Sequence, residues 1–316
     1  MTAHLSVIIP VYNGAAFVGR AVESVLSQTA QADEIIVVND GSHDETAEVL
    51  ARFESRITVI SIPNSGVACA RNTGIEASTG EWIAFLDADD VWFPNKLAIQ
   101  LEAVAAYPQV GFSCCNYRHS PDILLGNHFT QFDRRDGFVF DAPMSKSTLS
   151  LMLQWNIMGT CSNVIVRRDV LDLVGQFDTS YRQSEDYDLW LRCATATDFL
   201  LTSEVLLVKE THDSNLTNDF LETLLYTEQV LVNLPLRYEA AARLIADMRS
   251  TYRRALANLR YEVGNLYYES GAKNMAFAYF LRGLLSDYSI VNARQFGVYF
   301  SHKLVRLASF DLIKRP

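Results

Sequence analysis

Trp82-Ile83-Ala84-Phe85-Leu86 runs without a break into Asp87-Ala88-Asp89-Asp90. Five apolar residues with no polar alternation read as a strand buried on both faces. The carboxylates that follow mark its polar end. Working back from this point, the same pattern recurs. Leu5–Val11 is a short apolar run that reads as a buried strand, broken at Asn13-Gly14. Residues 34–39, Glu-Ile-Ile-Val-Val-Asn, read as a second strand that ends at Asp40-Gly41-Ser42, and residues 57–62 as a third. Between them, residues 16–28 have helical spacing through Phe17, Ala21 and Val25, and a helix is expected from about residue 44, with Val49, Leu50 and Phe53 on one face. Pro63-Asn64-Ser65-Gly66 turns into a helix expected over Val67–Ala77 and stopped by Ser78-Thr79-Gly80. Strands alternating with helices imply an α/β fold, a mostly parallel sheet with helices on both faces. Such sheets bind ligands outside the carboxyl ends of their strands. Tyr12-Asn13, Asp40-Gly41-Ser42 and Asp87–Asp90 all fall at those ends.

Downstream, a helix is expected from Pro94 to about residue 106, and a strand over 111–117. Residues 118–145 are irregular and polar. A helix over 146–154, a strand over 163–167, helices over 169–174 and 184–193, and a last strand over 205–208 follow. From Leu216 onward the pattern is helical only, with long helices over 240–268 and 272–285 separated at Gly271. Residues 263–280 resemble one tetratricopeptide-type helical hairpin without a second copy. The reading is therefore an α/β domain over 1–215, with its acidic strand end near 90 as an internal boundary, and a helical C-terminal extension over 216–316.

Composition narrows the function classes. The 316 residues are 49% hydrophobic, enough for a substantial core. The net charge of −10 disfavours nucleic acid as a partner. The charge is unevenly spread: residues 216–316 carry 13 Lys/Arg against 9 Asp/Glu, whereas residues 1–215 carry 14 against 28. Five cysteines without a CxxC pair argue for free thiols in a reducing compartment rather than disulfides or zinc. No apolar run reaches the ~20 residues of a membrane span, and the first residues lack a signal-peptide pattern, so a cytoplasmic location is expected. Residues 291–316 mix Arg294, Lys303, Arg306, Lys314 and Arg315 with aromatic and aliphatic residues. A basic amphipathic helix there would lie on the inner face of a membrane, on the catalytic body, or on a second copy in a homodimer.

Several residues carry candidate chemistry. Clustered carboxylates repel one another unless a cation or another positive group sits among them, and a hard divalent cation suits oxygen ligands. A solvated acidic turn is the plainer reading. Asp40 fits either a strand-to-helix turn or an acceptor for a base N–H or ribose hydroxyls, with Asp44 as the helix cap and Gly41 supplying positive φ. Arg71 is expected to meet a base carbonyl or help hold Asp40. Glu185-Asp186 opens a helix, where acidic residues favour the positive helix end, but a carboxylate there would also serve as general base toward a hydroxyl. Asp188 is expected to pair with an arginine. His212 reads as either an exposed histidine or a metal or pyrophosphate ligand.

Six blocks in order carry a resemblance: Ser6-Val-Ile-Ile-Pro-Val-Tyr-Asn13, Val38-Asn-Asp-Gly-Ser42, Gly66-Val-Ala-Cys-Ala-Arg-Asn-Thr-Gly74, Phe85-Leu-Asp-Ala-Asp-Asp90, Gly175-Gln-Phe-Asp178 and Glu185-Asp-Tyr-Asp-Leu-Trp190. Together they resemble the family 2 glycosyltransferases, which have the GT-A fold. The resemblance implies an inverting transfer from a nucleotide-diphosphate sugar, with Mn²⁺ or Mg²⁺, to a hydroxyl of a saccharide or lipid-linked acceptor. It implies that Pro10, Val11 and Tyr12 line the nucleotide pocket, that Asp40 and Arg71 contact the base as in uridine-using members, and that Asp87 lies near the ribose. Asp89 would ligate the metal, Asp186 would be the catalytic base, and Glu185 would shape the acceptor pocket. His212 resembles a histidine that follows the last core strand, although Lys209-Glu210 stands where Tyr-Arg is more usual. The alternatives are a catalytically silent protein of this fold serving as a scaffold, and a sugar nucleotidyltransferase. The second is disfavoured because Pro10–Ala16 contains no Arg or Lys.

Overall fold

The structure is a computed structural model that describes residues 4–120, 127–132, 137–145, 148–212 and 219–287. Its first half is β1 (Leu5–Val11), α1 (Val18–Leu26), β2 (Glu34–Asp40), α2 (Thr46–Ala51), β3 (Thr58–Ile62), α3 (Val67–Ala77) and β4 (Trp82–Phe85). It continues through β5 (Val91–Trp92), α4 (Lys96–Ala105), β6 (Val110–Ser120), β7 (Pro143–Met144), α5 (Leu149–Gln154), β8 (Val164–Arg167), α6 (Arg168–Val174), α7 (Glu185–Ala196) and β9 (Asp198–Glu210). Four helices follow: α8 (Phe220–Arg237), α9 (Glu239–Asp247), α10 (Arg249–Glu269) and α11 (Lys273–Ser286).

The strands form one sheet in the order β3-β2-β1-β4-β8-β6-β9-β5, with β7 paired to β9. The first four strands are mutually parallel, and β6 is parallel to β9. β8 lies antiparallel between β4 and β6, and β5 and β7 run antiparallel to β9. Alternate side chains of each strand enter opposite layers. Leu5, Val7, Ile9, Trp82, Ala84, Leu86 and Ile165 pack with residues of α1, α2 and α4. Ile8, Ile83, Phe85, Val164 and Val166 pack with α3, α5, α6 and α7.

Several expectations about elements change. The helix expected over 240–268 is two, α9 and α10, parted at Met248, and the strand expected over 111–117 runs from Val110 to Ser120, into the stretch expected to be irregular. The last strand spans 13 residues, because β9 continues through the exposed Ser203 and Glu204, where the ladder to β6 is irregular. The helix expected over 146–154 is α5, whose first described turn starts at Leu149. Asp44 caps α2 from one residue before the N-cap position, which is Glu45: its Oδ1 accepts from the Thr46 amide and hydroxyl, and its Oδ2 accepts from the Ala15 amide, which ties the loops after β1 and β2 together.

The helical extension packs on the α5/α7 face, with Leu224, Val230, Leu231, Ile245 and Leu259 inside that layer. α10 and α11 form the hairpin read at Gly271, whose φ is +85°. The basic stretch 291–316 lies outside the described residues. Among the described residues, no helix is long and apolar enough to cross a membrane.

Candidate active site

The strand directions decide what meets at the carboxyl edge of the sheet. β1, β2 and β4 end there, and β9 also ends there because it runs with β6. β8 runs the opposite way, so its start meets the same edge. That reversal brings Thr160 and Ser162 beside the acidic loop. Ser162 Oγ accepts the Asp87 amide at 3.0 Å. The single Thr160 hydroxyl proton is shared between Asp87 Oδ2 at 3.3 Å and Asp90 Oδ2 at 3.4 Å. Asp90 is buried and accepts the Glu210 amide at 3.1 Å, which joins the acidic loop to the end of β9. Burial, with Asp89 and Asp87 adding repulsion, pushes the Asp90 carboxyl well up.

Arg71 is the centre of the arrangement. Small residues on α3 let that helix approach the sheet closely; a Cβ on Gly74 would meet Ile8 Cγ2 at 2.4 Å. The buried guanidinium then donates from Nη2 to Asp87 Oδ1 at 2.7 Å and from Nη1 to Glu185 Oε1 at 2.6 Å. This corrects the expectation that Arg71 helps hold Asp40. Asp40, also buried, accepts instead from the Ser65 and Gly66 amides at 2.7 and 2.9 Å, fixing the turn that starts α3. Gly41 turns the chain after Asp40 with φ +71°, and a Cβ there would meet the Asn64 backbone nitrogen at 2.7 Å.

Glu185 and Asp186 open α7, as read. The residue before them, Ser184, takes a left-handed conformation at φ +63°, uncommon for a side chain with a Cβ. The helical extension braces this turn. Gln183 Nε2 donates to Glu222 Oε2 at 3.0 Å, Thr223 Oγ1 donates to Gln183 Oε1 at 2.6 Å, and the Ser184 and Thr227 hydroxyls lie 3.1 Å apart. Asp188 pairs with Arg192 inside the same helix, as expected.

Burial pushes the Glu185 carboxyl up to about 7, although Arg71 opposes the shift. Burial also raises Asp186, which is partly accessible but closely surrounded by protein and accepts the Tyr187 amide. Asp186 feels the charges of Asp87 and Lys209, and Asp90 also feels Lys209. The carboxylates of the β4 loop and of α7 therefore share one neighbourhood. Lys209 also donates to the Gly159 carbonyl at 3.0 Å.

Pro10 and Val11 are buried at the end of β1, whereas Tyr12 is half exposed. Asn13, at φ +49°, accepts the His43 amide and donates its own amide to Ser42, so the loop bearing Tyr12 is fixed to the loop after β2. His212 Nε2 lies 3.0 Å from Asp89 Oδ2. Among the described residues, no group of three or more His, Cys, Asp or Glu could alone hold a metal ion. The Asp89 carboxylate and the His212 imidazole are nevertheless a donor set that would suit a divalent cation shared with phosphate oxygens.

Sequence reasoning did not find Thr160, Ser162 or the bracing residues of α8. Only their position in the fold gives them a role.

Residues 6–175 match the model of glycosyl transferase family 2. An uncharacterized glycosyltransferase of Rickettsia typhi is 30% identical over 227 residues, 70% of this chain and 68% of the relative. The Escherichia coli UDP-Glc:alpha-D-GlcNAc-diphosphoundecaprenol beta-1,3-glucosyltransferase WfaP is 34% identical over 191 residues, 59% of this chain and 68% of the relative. Among solved structures, S. aureus TarS 1-349 in complex with UDP superposes with a TM-score of 0.58 at 16% identity, over 89% of this chain and 91% of that one. The Pyrobaculum calidifontis mannosyltransferase PcManGT, in complex with GDP-Man and Mn²⁺, reaches 0.60 at 18% identity, over 96% and 81%. At those identities the structures establish the fold, which is GT-A. Matched over more than half its length by the family model, the chain belongs to glycosyl transferase family 2.

Proposed function

We propose that the protein is an inverting, metal-assisted transferase that moves a sugar from a nucleotide-diphosphate donor, a UDP-sugar, to a hydroxyl of a saccharide or lipid-linked acceptor. The observation that carries this reading is the Arg71 bridge, 2.7 Å to Asp87 and 2.6 Å to Glu185. It joins the loop that would meet the donor to the helix start that would meet the acceptor. Residues 1–215 form the catalytic domain, with 1–90 as the nucleotide half, 91–215 as the acceptor half, and 216–316 as the helical extension. Pro10, Val11, Tyr12 and Asp40 line the nucleotide pocket, and the Arg71–Asp87 pair closes its ribose side. Asp89 and His212 hold Mn²⁺ or Mg²⁺. When bound, that ion neutralises charge on the diphosphate leaving group.

Asp186 takes the proton of the acceptor hydroxyl as that oxygen attacks the anomeric carbon. A carboxyl raised by burial is a stronger base near neutral pH than an ordinary one. One displacement inverts the centre. Glu185, held by Arg71, shapes the acceptor pocket without taking the proton. The name of the relative WfaP, whose acceptor is a diphosphoundecaprenol-linked sugar, supports a lipid-linked acceptor here. A basic C-terminal stretch would bring the enzyme to the inner face of the membrane that carries it. Thermal stabilisation by UDP-, GDP- and dTDP-sugars, each with and without Mn²⁺, tests the donor. The expected result is metal-dependent stabilisation by a UDP-sugar, followed by NMR assignment of an inverted anomeric configuration in the product. A retained configuration overturns the mechanism.

A further inference from the structure

His212 leaves the end of β9 and is held from two sides. Asp89 lies on one side, 3.0 Å from Nε2. On the other, the Phe17 ring stacks on the imidazole with centroids 4.7 Å apart and planes 10° apart. One helical turn further along, Arg20 Nη1 pairs with Glu210 Oε1 at 3.2 Å. Residues three apart share a face of a helix, and residues two apart share a side of an extended chain. Phe17 and Arg20 therefore meet His212 and Glu210 in register, so that the start of α1 clasps the end of β9. Phe17 is only half buried and packs in none of the described apolar clusters. Its ring is placed against His212 and not in the core.

From this geometry we infer that Phe17 is a positioning residue, which fixes the plane of the His212 imidazole so that Nε2 faces Asp89 before any cation arrives. The inference rests on the proposed reading of Asp89 and His212 as the metal-holding pair. The second torsion of a histidine is broad when nothing constrains it, and a stacked ring removes that freedom. The clasp also has a consequence for the donor. The Phe17 amide donates to the Gly14 carbonyl at 2.9 Å, and Gly14 in turn donates to Thr46 Oγ1 at 3.0 Å. The histidine is thereby tied to the loop that carries Tyr12, so the nucleotide loop and the metal ligand are held by one short piece of chain.

The test is a Mn²⁺ titration of the full-length protein in the presence of UDP, with free Mn²⁺ read by electron paramagnetic resonance and folding checked by thermal midpoint. Phe17→Ala is expected to weaken Mn²⁺ binding about tenfold, the lower end of what loss of a ligand-orienting partner costs. Phe17→Trp restores the stack and is expected to stay within about threefold of the wild type. UDP affinity without metal is expected to be equal in all three proteins. His212→Ala and Asp89→Ala serve as controls. If the controls lose Mn²⁺ affinity while Phe17→Ala titrates like the wild type, or if Phe17→Trp is as weak as Phe17→Ala, the inference is overturned and the metal pair stands. If the wild type itself titrates like Asp89→Ala, the metal reading falls and takes the inference with it.

Discussion

Replacing Arg71 with methionine removes the positive charge between Asp87 and Glu185 and leaves an apolar stem of similar length. The two contacts are unequal. Glu185 has 8% of its side chain exposed and Arg71 has 5%, whereas Asp87 has 28%. Water can therefore compensate Asp87 but not Glu185. Breaking a buried pair by removing one partner costs about 3–5 kcal/mol, because a charge is left without compensation. Most of that cost should be borne at Glu185. Adding Glu185→Gln removes the stranded charge, so the double variant R71M/E185Q should recover about 2 kcal/mol or more relative to R71M alone. The pH dependence has a definite sign. The Glu185 carboxyl, already raised to about 7 from 4.5 with Arg71 present, rises further without it. A carboxyl raised in the folded state stabilises that state while protonated, and the stability is lost as pH rises from the unfolded value through the folded one. R71M should thus be nearer the wild type at pH 5 than at pH 8. Urea denaturation of the four proteins at both pH values, followed by tryptophan fluorescence, measures the cycle. Additive losses in the double variant, or an R71M penalty that does not grow with pH, would refute the assignment of Arg71 as the charge that holds Glu185.

Other expectations follow from the same geometry. Asp186→Asn should lower turnover by about 100-fold or more while donor affinity stays nearly unchanged; a fully active variant, measured by nucleotide release, removes Asp186 as the base. Asp89→Ala should weaken nucleotide binding only when Mn²⁺ is present, which calorimetric titration with and without metal can read. Lys96 is fully buried against Trp92 and Gln100, and burial lowers its ammonium to about 8 from 10.5. Between those values the unfolded chain holds a proton that the folded one lacks, so wild-type stability should rise with pH across that window by up to about 3 kcal/mol. Lys96→Met should be more stable than the wild type at pH 7 and lose this advantage by pH 10, as judged by urea midpoints. Gly41→Ala places a Cβ at φ +71° against the Asn64 backbone and should cost about 2 kcal/mol in the same assay.

The sequence was most legible where period and punctuation agree. The helix over Val67–Ala77 was bounded to the residue, because Gly66 and Ser78-Thr79-Gly80 bracket it. The strand ends at Asp40 and Asp87 were readable because an apolar run gives way to carboxylates. The direction of β8 was not, since four apolar residues read the same way up or down and only their pairing with β4 and β6 distinguishes the two. The two-residue strands β5 and β7 are too short to show any period. β9 was underestimated because Ser203 and Glu204 interrupt its apolar run at the point where the ladder shifts. At the site, charge made Arg71, Asp87, Asp89, Glu185 and Asp186 visible as candidates, but not their partners. Arg71 meets Glu185 across 114 positions of chain, a separation that no local pattern encodes.

The reversal of β8 explains why the helical extension belongs to the same architecture. With β8 antiparallel, its leading residues Thr160 and Ser162 reach the edge where β4 ends, and the chain then returns through α6 to start α7 at that edge. This puts a helix start, with its positive field, next to an acidic loop. Glu185 and Asp186 use that field, but Ser184 must adopt φ +63° to deliver them. A strained turn persists only where its surroundings over-determine it. The surroundings here are Glu222, Thr223 and Thr227 of α8, which hold Gln183 and Ser184 by side-chain hydrogen bonds. The extension is thus mechanically part of the Asp186 end of the site, although Glu185 and Asp186 themselves belong to α7. Loss of the α8 contacts should therefore be felt in turnover before it is felt in nucleotide binding, because Tyr12, Asp40 and Asp89 are fixed by the β1, β2 and β4 loops and not by α8.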